Sequence, residues 1–140
     1  ISKVEAVKEH PTSLRLVTVF DGQSRYEVVT KPDEAAVGDL VVHIMPGTRV
    51  VAHPVFSKLT RMKYRVTKAR FQGLTSQGII FPVGILDDRT IHEADCPGFP
   101  QFDRSTRTPC GELGEDVTRW LRVQPDSASR PDELAVVLAA

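Results

Sequence analysis

The residues best equipped for chemistry lie between Lys58 and Arg70. Six cations fall within these 13 residues (Lys58, Arg61, Lys63, Arg65, Lys68 and Arg70), and the stretch from Phe56 to Gln72 carries no acidic residue. Tyr64 interrupts the run and Phe71 follows it. A sugar–phosphate chain requires this combination. Cations neutralise phosphates and release condensed counterions, and a ring gives a base a stacking platform worth ~1–3 kcal/mol. Next, Gly73-Leu74-Thr75-Ser76-Gln77-Gly78 reads as a tight turn whose N–H groups and small polar side chains suit a phosphate. The candidate nucleic-acid-binding residues are therefore Lys58, Arg61, Lys63, Tyr64, Arg65, Lys68, Arg70, Gln72, Ser76 and Gln77. Cations on an exposed edge strand also block edge-to-edge pairing, and composition leaves the two readings even.

Catalytic patterns are sparse. His10 and His53 each precede a proline and read as turn residues, and His43 sits within an apolar strand. His92, Cys96 and Cys110 form an H-x3-C-x13-C pattern, which offers three zinc ligands but no fourth and no C-x2-C pair. Two thiols in a loop, free or bridged, are the simpler reading. The sequence has no G-x-x-x-x-G-K-[ST], G-x-S-x-G or H-E-x-x-H motif. Asp87 and Asp88 are adjacent, so on a strand they would face opposite ways.

The elements that must carry these residues are short strands. Leu14 to Phe20 alternates and ends at the hairpin signal Asp21-Gly22; Tyr26 to Thr30 returns, closed by Lys31-Pro32-Asp33. Leu40 to Ile44 is a mostly apolar run typical of a buried strand, Val50 to Ala52 is a shorter one, and Ile1 to Val7 alternates loosely. Tyr64 to Gln72 reads as one strand with Tyr64, Val66, Lys68 and Arg70 on one face, and Ile79 to Val83 as another. Residues 87–112 read as a long irregular loop, and Glu115 to Leu121 as a short helix, acidic at its start and basic at its end. Five or six short strands predict an all-β fold, a small OB-like β-barrel with one short C-terminal helix. The barrel module spans 1–123, and 124–140 is a linker and tail.

At 140 residues the chain is sized for one domain, and 41% hydrophobic with 26% charged residues excludes collagen-like repeats and wholesale disorder. Residues 1–82 hold 12 Lys and Arg against 7 Asp and Glu, whereas 83–140 hold 6 against 11. A basic first part and an acidic second part place any polyanion-facing surface on one side. Two cysteines and the lack of a basic-then-apolar leader fit a cytoplasmic setting, and no apolar run is long enough to span a membrane.

Four segments share a further pattern: His10-Pro11-Thr12-Ser13-Leu14-Arg15-Leu16-Val17-Thr18-Val19, Val37-Gly38-Asp39-Leu40-Val41-Val42, Arg65 through Pro82, and Gly114-Glu115-Asp116-Val117-Thr118. In order and spacing they resemble the amino-terminal module of the Deinococcus-type RNA ligases, over residues 4–123. The most specific portion is R-x-x-G-x-x-S-Q-G, here Arg70 to Gly78. His-Pro and Val-Gly-Asp are also shared with OB-fold tRNA-binding domains. Thr12-Ser13 stand for the family's Ala-Asp, His43 for its tyrosine, and Phe71-Gln72 for Leu-Arg, which removes one cation.

The resemblance implies an OB-like barrel preceding an ATP-dependent nucleotidyltransferase domain, with the barrel engaging the nicked or broken strand for end joining or repair. That second domain's K-x-D-G motif is missing here, for Val19-Phe20-Asp21-Gly22 has valine where lysine must stand. The expectation is a non-catalytic module without catalytic or metal-binding residues, ATP and magnesium belonging to the other domain. Its expected partners are RNA or a nicked RNA/DNA duplex, and a ligase nucleotidyltransferase domain in cis or in trans. The alternatives are a stand-alone tRNA- or single-strand-binding OB protein and a protein-interaction domain.

Overall fold

The computed structural model describes residues 1–9, 14–31, 35–71 and 74–125, with Glu9 and residues 69–71 described in their backbone alone. The fold is mainly β, in antiparallel sheets. Strands β1 (Ser2–Glu9), β2 (Arg15–Phe20), β3 (Arg25–Thr30), β4 (Leu40–Ile44) and β9 (Ile79–Pro82) form a five-stranded sheet in the order β3-β2-β1-β4-β9. A second sheet joins β10 (Gln124–Pro125), β5 (Thr48–Arg49) and β6 (Arg65–Val66), and β7 (Lys68–Phe71) pairs with β8 (Leu74–Gln77). Among the described residues no helix is long and apolar enough to cross a membrane.

Alternation accounts for the large sheet. Val17 and Val19 of β2, Val28 of β3 and Val4 of β1 are wholly buried and form one core with Val41 and Ile80. The intervening residues Val42 and Phe81 face the opposite way, into a second core with Phe56, Leu59, Val66, Ile91, Trp120 and Leu121. β4 and β9 are thus covered on both faces, which is why Leu40 to Ile44 is nearly all apolar. The β2–β3 turn is closed by the Asp21 carboxylate, which accepts the N–H groups of Gln23 and Ser24, each at 2.8 Å. These bonds hold the Asp21 carboxyl below its usual range, Ser24 contributing most.

The structure departs from the sequence expectation in five places. Tyr64 to Gln72 is not one strand: β6 and β7 belong to different sheets, separated at Thr67. Leu74 to Gln77 is a strand rather than part of a turn. The short strand expected over Val50 to Ala52 lies at Thr48–Arg49, while Val50 and Val51 are core. Pro54–Met62 is a 3₁₀ helix, its start capped by His53 Nδ1, which accepts the Val55 N–H at 3.1 Å. Glu115 to Leu121 forms only a turn: Asp116 caps it by accepting the Thr118 N–H at 2.9 Å, the Leu121 N–H reaches the Val117 carbonyl at 3.0 Å, and Arg122 at φ 58° ends it.

The long segment expected to be irregular is packed. Its single α-helical turn, Thr90–Glu93, buries Ile91, and Cys96, Phe99 and Phe102 lean on the second core. Arg122 pins it: one guanidinium nitrogen donates to the Ile91 and Ala94 carbonyls at 3.0 and 2.7 Å, and another to Pro100 at 2.7 Å.

No continuous backbone ladder closes the large sheet among the described residues; two side chains bridge the gap. Ser76 Oγ accepts the Val29 N–H at 3.0 Å and donates to the Gly78 carbonyl at 2.9 Å. Gln77 Oε1 accepts the Glu27 N–H at 2.9 Å. The free edge of β3 is thereby satisfied by β8, which runs through Gly78 into β9 at the other end of the sheet. Gly78 has φ +101°, and a Cβ there would stand 2.2 Å from the Ile44 carbonyl oxygen. His43 completes the junction: its Nε2–H donates to the Gln77 carbonyl at 2.7 Å while its ring lies 5.1 Å from Tyr26. Burial above all holds the His43 pKa below the ordinary value of 6.5, outweighing the Gln77 carbonyl and Asp21, which pull the other way.

Gly78→Ala combines a left-handed backbone with a collision against main chain, and is expected to lose about 3 kcal/mol or more in thermal or urea unfolding. Gly47→Ala, with φ +84° but open space around its Cβ, is expected to lose only about 1 kcal/mol. His43 binds its proton less readily folded than unfolded, so its contribution is complete above pH 6.5 and is lost as pH falls through the depressed value. Urea unfolding at pH 7.5 and about pH 5.5 is therefore expected to show weaker folding at the acid point. His43→Gln keeps an N–H donor without the titration, so its stability should fall less steeply. Part of the residual slope falls to His92, whose pKa is also lowered, chiefly by burial.

Candidate nucleic-acid interface

The six cations of the basic run are distributed over three elements. Lys58 and Arg61 project from the 3₁₀ helix, whose opposite side buries Phe56 and Leu59. Lys63 caps that helix in a left-handed conformation, φ 55°, and its N–H reaches the Leu59 and Thr60 carbonyls. Tyr64 follows at φ 61°. Two successive non-glycine residues in this region cost about 1–2 kcal/mol each, and the chain accepts that cost to turn from the helix into β6. The turn leaves Lys63 exposed and sends the Tyr64 ring against the second core.

Arg65 lies on β6 directly opposite Arg49 of β5, while the neighbouring pair Thr48 and Val66 turns the other way, with Val66 buried. Directly opposite residues point to the same face, so both arginines share one side of this sheet. Arg49 donates to the Gly98 carbonyl at 2.8 Å and lies 4.7 Å from the centre of the Phe99 ring, and its Nε is buried without an acceptor. Lys68, on β7 opposite Gln77, is exposed. The exposed cations are therefore Arg61, Lys63 and Lys68, with Arg49 and Arg65 half-buried and opposite each other across β5 and β6. Nothing in the sequence around Thr48-Arg49-Val50 singles Arg49 out; only the β5–β6 register does.

Three other candidate residues bond to the protein's own backbone, Lys58 from an exposed position. Lys58 Nζ donates to the Ile80 carbonyl at 2.8 Å and lies 4.6 Å from the Phe81 ring centre. Ser76 is 2% exposed with its hydroxyl used in both directions, and Gln77 Oε1 holds β3. These three build the wall on which the remaining cations stand. Arg70 and Phe71 are described in their backbone alone, paired with Thr75 and Leu74, and Gln72 lies outside the described residues.

A cleft of about 710 Å³ opens beside His43 and Tyr26. Asp21, Glu115 and Asp116 line it, so its charge has the wrong sign for a phosphate chain. His92, Cys96 and Cys110 are not gathered into a metal-ligand group among the described residues. His92 Nε2–H donates to the Trp120 carbonyl at 2.9 Å, and both thiols are free.

No protein-family model matches the chain. A 52-residue stretch is 36% identical to the phenylalanine--tRNA ligase beta subunit of Leptospira interrogans, covering 36% of this chain and 6% of that protein. Solved structures of Naegleria gruberi RNA ligase are similar over most of the chain. A mutant with ATP and Mn matches with a TM-score of 0.64 at 18% identity, over 89% of this chain and 33% of that one. The same ligase with PPi matches with a TM-score of 0.61, also at 18% identity, covering 89% of this chain and 33% of that one. The chain thus spans about a third of the ligase it matches, and its fold is RNA ligase-like.

Proposed function

We propose that the chain is the nucleic-acid-binding, non-catalytic module of an RNA ligase: an OB-like barrel of the Deinococcus-type family that holds a nicked or broken strand for end joining. The observation that carries this reading is the juxtaposition of Arg49 and Arg65 across β5 and β6, beside exposed Lys63 and within a run free of acidic residues. Arg61, Lys63 and Lys68 add charge that phosphates can neutralise. The fold shared with a third of an RNA ligase supports the same reading, and a nucleotidyltransferase domain in cis or in trans would supply the chemistry in the cytoplasm.

ATP and magnesium fall to that domain. This chain's own residues do not fit adenylylation, because Val19 stands at the nucleophile position and the Asp21 carboxylate is committed to the β2–β3 turn. The local identity to a phenylalanine--tRNA ligase subunit favours a second reading, a tRNA-binding module.

Binding of a nicked RNA duplex, measured between about 50 and 200 mM salt, separates these readings. Affinity is expected to fall as salt rises. The triple variant Arg61→Ala, Lys63→Ala, Lys68→Ala is expected to flatten the log–log slope by about 2–3 and weaken binding roughly tenfold or more, with its melting temperature little changed. Salt-independent binding, or a triple variant indistinguishable from the parent, would contradict the phosphate role. Preference for a tRNA transcript over the nicked duplex would select the tRNA reading.

A further inference from the structure

We propose that a second cleft, between the Thr90–Glu93 turn and the 94–108 segment, binds a single nucleotide unit, an aromatic base carrying one phosphate. The cleft holds about 710 Å³, within the range of small-ligand sites, and shares no residue with the basic surface above. Its wall is aromatic. His92 and Phe102 lie parallel, 2° apart with ring centres 3.6 Å from each other, and Trp120 stands edge-on to both. Arg89 lies 5.6 Å from the Trp120 ring centre, and Arg104 also lines the opening.

Arg122 sits in the same wall, 7% exposed, with two guanidinium nitrogens bonded to carbonyls and its Nε–H without an acceptor. That Nε is itself buried, so the Arg122 guanidinium shapes the wall, and the exposed Arg89 and Arg104 at the opening are the groups a phosphate would meet. Glu93 and Asp95 share the lining, so three guanidinium groups face two carboxylates. That balance rejects a long polyanion and suits a ligand with one compact negative group on a large neutral ring. The choice of a nucleotide among aromatic anions rests on the nucleic-acid reading above.

Trp120 is the sole tryptophan, so intrinsic fluorescence reports on this cleft alone. Titration with AMP is expected to give a saturable change, weaker by roughly tenfold or more for adenosine, and for AMP with Arg104→Ala or Phe102→Leu. Arg104 is exposed, so its variant should fold as the parent does. No saturable change up to about 10 mM AMP, or a full response in Arg104→Ala, would overturn the proposal. A short single-stranded RNA that competes with AMP assigns the site to an unpaired RNA nucleotide; one that does not compete assigns it to free nucleotide. The Arg61, Lys63, Lys68 triple variant should keep its AMP affinity, so failure of the basic surface and failure of this cleft are told apart.

Discussion

Two side-chain acceptors, Ser76 Oγ and Gln77 Oε1, hold the edge of β3 against β8, and most of the molecule's organisation follows from them. A sheet edge offers a row of N–H groups that must be paired, covered or left to water. Here a hydroxyl and an amide replace the ladder that a further strand would supply. Each such bond contributes about 1 kcal/mol net, and losing the acceptor costs more at the part-buried Val29 N–H than at the exposed Glu27 N–H, which water can reach. Gly78 is its geometric condition, because only a residue without Cβ lets the chain pass the Ile44 carbonyl. The hairpin that carries Lys68 is fixed by the same contacts.

The charge distribution then acquires a structural reason. The first core and the β3–β8 closure leave the 3₁₀ helix and β5–β6 to present cations, while the turns after residue 112 bring Glu115 and Asp116 to the opposite-signed cleft beside His43. Neutrality overall thus conceals a cleft lined by carboxylates and a run of cations without an acidic residue. Among the described residues the left-handed non-glycine positions are Lys63 and Tyr64, where the chain leaves the 3₁₀ helix, and Arg122, which ends the turn after Asp116; packing around each holds it there.

The strands were legible wherever alternation or a bounded apolar run existed: Arg15–Phe20, Leu40–Ile44 and Ile79–Pro82 lie where the pattern put them. The basic run was legible as charge but not as shape. Period-2 alternation from Tyr64 to Gln72 has no mark at Thr67 to show that the strand changes sheets. The helix at Pro54–Met62 carries Val55, Phe56, Leu59 and Met62 at helical spacing, a signal two turns long and interrupted by cations that draw the reading to charge instead. Residues 87–112 read as irregular because their order comes from Arg122 and Arg49, distant cations bonding to carbonyls, which no local pattern encodes. Ser76-Gln77-Gly78, the most specific part of the family-like signature, was read as a phosphate-binding turn. Its side-chain oxygens instead hold the fold together.

Amide hydrogen exchange, followed with and without a short RNA, tests that division of labour most directly. The Glu27 and Val29 amides are expected to show protection comparable to the interior of the large sheet, unchanged by RNA, with slowed exchange on binding confined to the backbone around Lys63, Arg65 and Lys68. Rapid exchange at Val29 in the free protein, or loss of its protection when RNA binds, would mean that Ser76 and Gln77 are available to ligand and do not hold β3 to β8.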